Sequence, residues 1–286
     1  MAGKMQTRNI QKFSNELKQC IECGNCTFWC PIYQQRTQEE YVARGKNKIV
    51  RSLLEGSTEF TPEVVDILGM CTLCGTCAQH CPVGSKFQSI IISARADKTK
   101  SKGLGFPMGW IYRQLIPRRK LFGTLLRAAS FFQTILLPKA EGKMRHLPLF
   151  LSGMFKGRRV PSIAGKYLRD RIPEVNKAVS QKEPKYRVAY FMGCATDFVF
   201  PEIGMKVVGY LTKNGVEVVV PKEQGCCGAP IWLGAGDFDT GRVIADRNVK
   251  IFRDADYIIT NCATCSSAMK EYTKYLADND DRAKQY

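Results

Sequence analysis

Two runs of cysteine share one spacing, Cys20-x2-Cys23-x2-Cys26-x3-Cys30-Pro31 and Cys71-x2-Cys74-x2-Cys77-x3-Cys81-Pro82. Three thiolates placed two residues apart on a tight loop wrap three corners of an iron–sulfur cubane, with Gly24 and Gly75 letting the backbone pass close to the inorganic sulfides. The fourth corner has to come from outside the loop. In two-cluster proteins with this spacing the cysteine before proline serves the other cluster. Cys20, Cys23, Cys26 and Cys81 are therefore expected around one [4Fe–4S] centre, and Cys71, Cys74, Cys77 and Cys30 around the other. Zinc also takes four thiolates, but its sites usually draw on two separated pairs, whereas a triplet crowds a single tetrahedral ion. The spacing points to iron–sulfur.

The chain has 286 residues, 44% of them hydrophobic, enough to bury a core. Its 13 cysteines are an odd count, and no apolar segment precedes the first run, which argues against a secreted disulfide scaffold. Reduced, ligating thiols in the cytoplasm are expected. The formal net charge of +17 is unevenly spread: 12 basic against 9 acidic residues in 1–99, 19 against 4 in 100–185, and 12 against 13 in 186–286. The cysteines divide the chain in the same way, with eight from Cys20 to Cys81, none in 82–193, and five from Cys194 to Cys265. Two cofactor modules, 1–99 and 186–286, are thus expected on either side of a basic connector, 100–185.

Between the two runs the sequence carries helical signals. Val42, Ile49, Val50, Leu53 and Leu54 form an apolar stripe, and Thr61-Pro62-Glu63 opens a second helix through Val64, Val65, Ile67 and Leu68. Compact two-cluster ferredoxins have a shorter connection. This module resembles instead the α-helical ferredoxin domains of heterodisulfide reductase C subunits and succinate dehydrogenases, which implies electron relay between two nearby centres. His80 precedes a ligand, but eight cysteines already fill the eight cubane positions, so it reads as a structural or surface histidine.

The connector carries Arg118-Arg119-Lys120, Arg158-Arg159 and the basic stretch 166–171, broken by Pro107, Pro117, Pro138, Pro148, Pro161 and Pro173. Its apolar stretch 121–137, with Arg127 inside it, is too short and interrupted to span a bilayer. Leu121, Leu125, Ala128, Phe132 and Leu136 follow one helical face, with Phe122, Leu126, Ala129 and Ile135 beside them. Such a helix must bury itself against the chain's own modules, against a partner subunit, or flat in a membrane interface with flanking Arg and Lys on anionic headgroups. Trp110 and Tyr112 suit the interfacial reading. No recognised nucleic-acid motif accompanies the charge, and no nucleic-acid partner is expected.

From residue 186 strands alternate with helices: strand 187–192, helix 202–213, strand 215–220, helix 240–254 and strand 257–260. This order predicts a parallel sheet covered by helices. Cys194 follows the first strand, Cys226-Cys227 the second, and Cys262 and Cys265 the third, so five thiols converge on the edge where open parallel sheets bind ligands. Gly234-Ala235-Gly236-Asp237 lacks phosphate-loop spacing and reads as a turn before a helix. His146 has no paired carboxylate or cysteine, and no nucleophile–histidine–acid set is visible, so no catalytic side chain is expected.

Gly193-Cys194, Gly225-Cys226-Cys227-Gly228 and Asn261-Cys262-Ala263-Thr264-Cys265 resemble the cysteine-rich CCG domain of heterodisulfide reductase B and D subunits, glycolate oxidase iron–sulfur subunits and anaerobic glycerol-3-phosphate dehydrogenase C subunits. The order of ferredoxin, linker and CCG domain matches the last two most closely, as does Met269-Lys270-Glu271-Tyr272 after the final cysteine. The fold expected is α+β multidomain: an α-helical two-[4Fe–4S] ferredoxin domain, a basic helical connector and a single α/β parallel-sheet CCG domain. The resemblance to heterodisulfide reductase implies a noncubane [4Fe–4S] cluster on Cys194, Cys226, Cys227, Cys262 and Cys265, with zinc and vestigial thiols as the alternatives. Glycolate oxidase relatives carry two CCG halves, so a second half is expected on another chain or in a longer form of this one.

That resemblance also implies an iron–sulfur electron-transfer subunit of a flavin-linked dehydrogenase complex acting on a 2-hydroxy acid such as glycolate or lactate, or on glycerol 3-phosphate. The partner would be a flavoprotein, and electrons would leave toward a quinone-reactive membrane subunit, an electron-transfer flavoprotein or another carrier. No substrate chemistry is expected on this chain alone. The alternative is a heterodisulfide-reductase-like subunit that reduces a disulfide at the noncubane cluster. A third class is a peripheral membrane adaptor on the inner face of the cytoplasmic membrane.

Overall fold

A computed structural model describes residues 8–136, 144–146, 159–179, 184, 186–277, 281 and 284. The chain forms two compact units, Met1–Gly109 with Gly228–Gly241, and Trp110–Cys227 with Arg242–Tyr286.

The first unit is helical. Helix Ala43–Glu55 buries Val50 and Leu53 from the apolar stripe, and helix Pro62–Gly69 buries Val64, Ile67 and Leu68. The Thr61 hydroxyl accepts the Val64 N–H at 3.2 Å, and Pro62 occupies the first turn, where its missing N–H is no loss. Both helices pack on Phe87, Ile90, Ile91 and Ala94 of helix Phe87–Lys102, each large side chain contributing about 1.5–3 kcal/mol by burial. That third helix is buried almost all round, and three of its buried polar residues, Arg95, Asp97 and Thr99, are tied down by hydrogen bonds. Asp97 accepts the backbone N–H groups of Asn9 and Ile10 and the Asn9 amide, fastening the N-terminal turns. Arg95 donates to the carbonyls of Leu68, Gly69, Cys71 and Leu233, and Thr99 to that of Ala235. The segment Gly228–Gly241 is thereby packed into this unit. Its Asp237 carboxylate accepts the Thr240 N–H at the start of helix Phe238–Phe252, so the Gly234–Asp237 stretch is a turn leading into a helix.

In the second unit a short antiparallel pair, β1 (Met144–His146) with β2 (Arg159–Pro161), lies outside the main sheet. The main sheet holds β3 (Val175–Asn176), β4 (Tyr186–Tyr190), β5 (Val216–Val219) and β6 (Ile258–Ile259) in the order β3-β5-β4-β6. β5 and β6 flank β4 in parallel, as the sequence predicts. The fully parallel sheet needs one correction: β3 is antiparallel to β5. Residues 173–176 are drawn to the free edge of β5 because the Val220 N–H reaches the Glu174 carbonyl at 2.6 Å and the Asn176 amide reaches the Val218 carbonyl at 3.2 Å. The core beneath is Leu168, Val188, Tyr190, Met192, Val208, Val218 and Val220.

The connector helix spans Arg119–Leu136. Phe122 meets Phe198 edge-on at 5.5 Å, the Tyr167 hydroxyl donates to the Gly123 carbonyl, and buried Gln133 exchanges two hydrogen bonds with Ile163. Docking through this edge leaves Leu121, Leu125, Phe131 and Phe132 exposed. The side chains of Ile135, Leu136, Leu137 and His146, together with Pro138, Pro148 and Arg158, lie outside the described residues. Among the described residues no helix is long and apolar enough to cross a membrane.

Candidate iron–sulfur sites

The repeated spacing folds into a repeated loop. Glu22 and Gly24 flank Cys23 with φ of 55° and 80°, and Leu73 and Gly75 flank Cys74 with φ of 57° and 80°. Left-handed backbone is costly for Glu and Leu, and each is held there by a side chain from a helix. Arg44 donates to the Glu22 carbonyl at 3.3 Å, and Gln88 to the Leu73 carbonyl at 2.8 Å. The two loops are joined where the Asn25 amide donates to the His80 carbonyl at 2.6 Å and the Trp29 and His80 rings stack at 3.9 Å. His80 is thus an exposed stacking partner.

Cys20, Cys23, Cys26 and Cys81 line one cavity of the first unit. Cys30, Cys71, Cys74 and Cys77 line a second, and Cys77 also borders the first. Two four-thiol cavities, each drawing its fourth cysteine from the opposite run, suit two four-iron clusters, whose thiolates spread over separate irons. Among the described residues no three His, Cys, Asp or Glu side chains gather closely enough to hold a single ion. All 13 cysteines are free thiols.

The second cavity is lined by a buried cation. Lys46, 2% exposed, lines it and donates to the Tyr41 carbonyl, and burial pulls its pKa down. Burial pushes the Cys71 thiol up and, with the Cys71 and Cys74 thiols beside it, raises Cys77 to about 12. At exposed Cys74 burial also acts upward, but hydrogen bonds from Thr76 win and the thiol is lowered.

In the second unit the connection from β5 to β6 crosses β4, which makes the end of β4 a topological switch point. Cys194 lies there. Its thiol is hydrogen-bonded with that of Cys226, and this contact pushes Cys194 up. The Cys265 sulfur lies against Gly193. Cys262 caps helix Ala263–Lys270, placing Cys265 in its first turn. The adjacent Cys226 and Cys227 are fixed through their backbone: Asn248 donates to the Cys226 carbonyl at 3.0 Å and the buried Tyr272 hydroxyl to the Cys227 carbonyl at 2.7 Å. Gln224 accepts the Met192 N–H and donates to the Tyr190 carbonyl, tying the loop before Gly225 to the end of β4. Asn261 joins the Tyr190 and Thr196 hydroxyls, and fully buried Asp197 pairs with Arg169, which also holds the Lys222 carbonyl. All three cysteine loops are therefore braced to one strand end.

Of these supports, Asn261 and Tyr272 fall within the recognised motifs. No motif marks Arg44, Lys46, Gln88, Arg95, Gln224 or Asn248. Lys46 alone carries a signal, a cation four residues after Val42 and four before Val50 on the apolar stripe.

Fold and sites together define an iron–sulfur protein with a two-cluster ferredoxin module and a CCG module. Residues 16–85 match the family model for a 4Fe-4S dicluster domain, and residues 188–270 that for a cysteine-rich domain, CCG. The chain is 28% identical over 93% of its length to the probable glycolate oxidase iron-sulfur subunit of Bacillus subtilis, covering 61% of that protein. It is 28% identical over 94% of its length to a fumarate reductase (CoM/CoB) subunit of Methanothermobacter marburgensis, covering 48%. To the glycolate oxidase iron-sulfur subunit of Escherichia coli it is 26% identical over 94% of its length, covering 62%. The chain thus spans about half to three-fifths of the length of these relatives. No solved structure matches it.

Proposed function

We propose that this chain is the iron–sulfur electron-transfer subunit of a flavin-linked dehydrogenase complex acting on a 2-hydroxy acid or on glycerol 3-phosphate. The observation that carries this reading is the pair of four-thiol cavities in one unit. Cys20, Cys23, Cys26 and Cys81 would hold one cubane, Cys71, Cys74, Cys77 and Cys30 the other, and Cys194, Cys226, Cys227, Cys262 and Cys265 a noncubane [4Fe–4S] cluster. Residues 1–99 would form the ferredoxin module, 100–185 the connector and 186–286 the CCG module, with the segment Gly228–Gly241 of the last packed into the first compact unit. When bound, the clusters accept and release single electrons. The chain's own residues bind them, shield them and set their potentials. Neighbouring Cys226 and Cys227 can reach two irons of an opened cluster, and Asn248 and Tyr272 hold that pair in place.

A flavoprotein would deliver the electrons, and a quinone-reactive subunit or an electron-transfer flavoprotein would take them. The protein would reside in the cytoplasm, with the connector helix against the inner face of the membrane. A second CCG half would come from another chain or from a longer form of this one. The test is iron, zinc and acid-labile sulfide per chain after anaerobic purification, with EPR of the same sample. About twelve iron without zinc is expected, at four per cluster. About eight iron with one zinc would overturn the noncubane assignment and confine electron transfer to the ferredoxin module.

A second reading rests on the cavity beside Cys226, walled by Ile116, Pro117, Val243 and Ile244 with Arg247 at its side. An apolar recess next to a thiol of the CCG site suits disulfide reduction there. Reduction of a heterodisulfide by the purified complex, without 2-hydroxy acid dehydrogenase activity, would favour it.

A further inference from the structure

The two cubane cavities share ligand type, loop geometry and the start of helix Ala43–Glu55, whose Ala43 lines both. They differ in fixed charge. In the first cavity the charges come paired and partly exposed: Arg44 is held by Glu39, and Glu22 pairs with Lys48 at 2.8 Å. Water and salt screen such pairs, and each is neutral as a unit. Among the described residues the second cavity has no carboxylate in its lining. Lys46 lines it at 2% exposure, and the Cys30 sulfur lies 3.8 Å from the same Tyr41 carbonyl that Lys46 bonds. Arg95, 7% exposed, places its guanidinium 2.6 Å from the Cys71 carbonyl.

From this asymmetry we propose that Lys46, supported by Arg95, makes the centre on Cys30, Cys71, Cys74 and Cys77 the more easily reduced of the two cubanes. The proposal rests on the reading that both cavities hold [4Fe–4S] clusters. One-electron reduction takes a 2+ cluster to 1+ with no bond made or broken, adding one negative charge to the cavity. A buried cation stabilises the reduced form strongly because little solvent intervenes. Lys46 is a positioning residue acting on the cluster's field, and it gives the relay an order, with a stored electron resting on the second centre.

The experiment is an anaerobic redox titration of the full chain with dithionite and mediators, read by EPR. Cys26→Ser and Cys74→Ser, by changing one signal each, assign the two cubanes. The signal altered by Cys74→Ser is expected to appear at the higher potential. Lys46→Met should shift that potential downward and leave the other in place, and Lys46→Arg should restore it. A lower or equal wild-type potential at that centre would overturn the proposal, as would a Lys46→Met effect that is absent or shared by both centres. If Lys46→Met does not load its clusters, the wild-type order alone decides. Loss of the underlying reading shows itself differently, as a chain whose iron and sulfide content cannot supply two cubanes.

Discussion

The sulfur of Cys265 lies against the α-carbon of Gly193, where a β-carbon would stand 3.1 Å from it. Residue 193 also has φ of +68°, so both the backbone and the space select glycine before Cys194. Gly193→Ala is expected to cost about 1–2 kcal/mol from the left-handed backbone and to push Cys265 out of line. With the CCG module holding the third cluster proposed above, iron per chain should fall by about a third. Both cubane EPR signals should stay. Denaturant midpoints and iron analysis of the same preparation check this, and loss of all iron together would mean that the CCG site does not load independently.

Arg95 satisfies four backbone carbonyls from one guanidinium, including the last turn of helix Pro62–Gly69 and Cys71 itself. Lysine keeps the charge but lacks the planar fork. Arg95→Lys should therefore strand buried carbonyls and destabilise the protein by about 3 kcal/mol. The second cubane's potential should move far less than in Lys46→Met. Urea unfolding with a parallel redox titration separates the two effects, and a fully stable variant would show that these carbonyls find other donors.

Much of this arrangement can be read from the residues, for definite reasons. The cubane loops are legible because three cysteines at fixed spacing admit few backbone paths, and Pro62 after Thr61 marks a helix start by its chemistry alone. β4, β5 and β6 are legible because Val and Ile runs alternate with helical stripes. β3 is not, since two residues at a sheet edge owe their place to the partner strand rather than to propensity. Nor is the packing of Leu233 and Ala235 on Arg95 and Thr99, because a turn sequence does not encode which distant donor takes its carbonyls. Helix Phe87–Lys102 is hidden for a related reason: a helix buried on nearly every side shows little amphipathic period.

Thiol reactivity in the metal-free chain should follow the same field. Cys77, raised to about 12 by burial and neighbouring thiols, would be only about one part in ten thousand thiolate at pH 8. Cys74 is exposed and lowered by its Thr76 contacts. Iodoacetamide labelling at pH 8, mapped by mass spectrometry, should modify Cys74 first and Cys77 among the last. Raising the pH should speed Cys77 more than Cys74, because the thiolate fraction of the former is still climbing. Equal rates at all the ferredoxin cysteines would mean that the second cavity does not persist without its cluster.

The connector helix turns its more apolar edge outward, with Leu121, Leu125 and Phe132 exposed on one face while Phe122 and Gln133 engage the protein. No Asp or Glu occurs between Asp97 and Glu141, so the chain flanking that face is basic, while Arg127 within the helix is paired with Asp170. An apolar stripe with basic flanks complements an anionic bilayer surface, each well-placed Lys or Arg adding about 1 kcal/mol. The full chain should float with vesicles rich in anionic lipid and not with neutral ones. High salt should weaken binding by screening, and Leu125→Asp with Phe132→Asp should abolish it even at low salt, with both cubane signals intact. Flotation that ignores lipid charge, or survives the double substitution, would assign this face to another role.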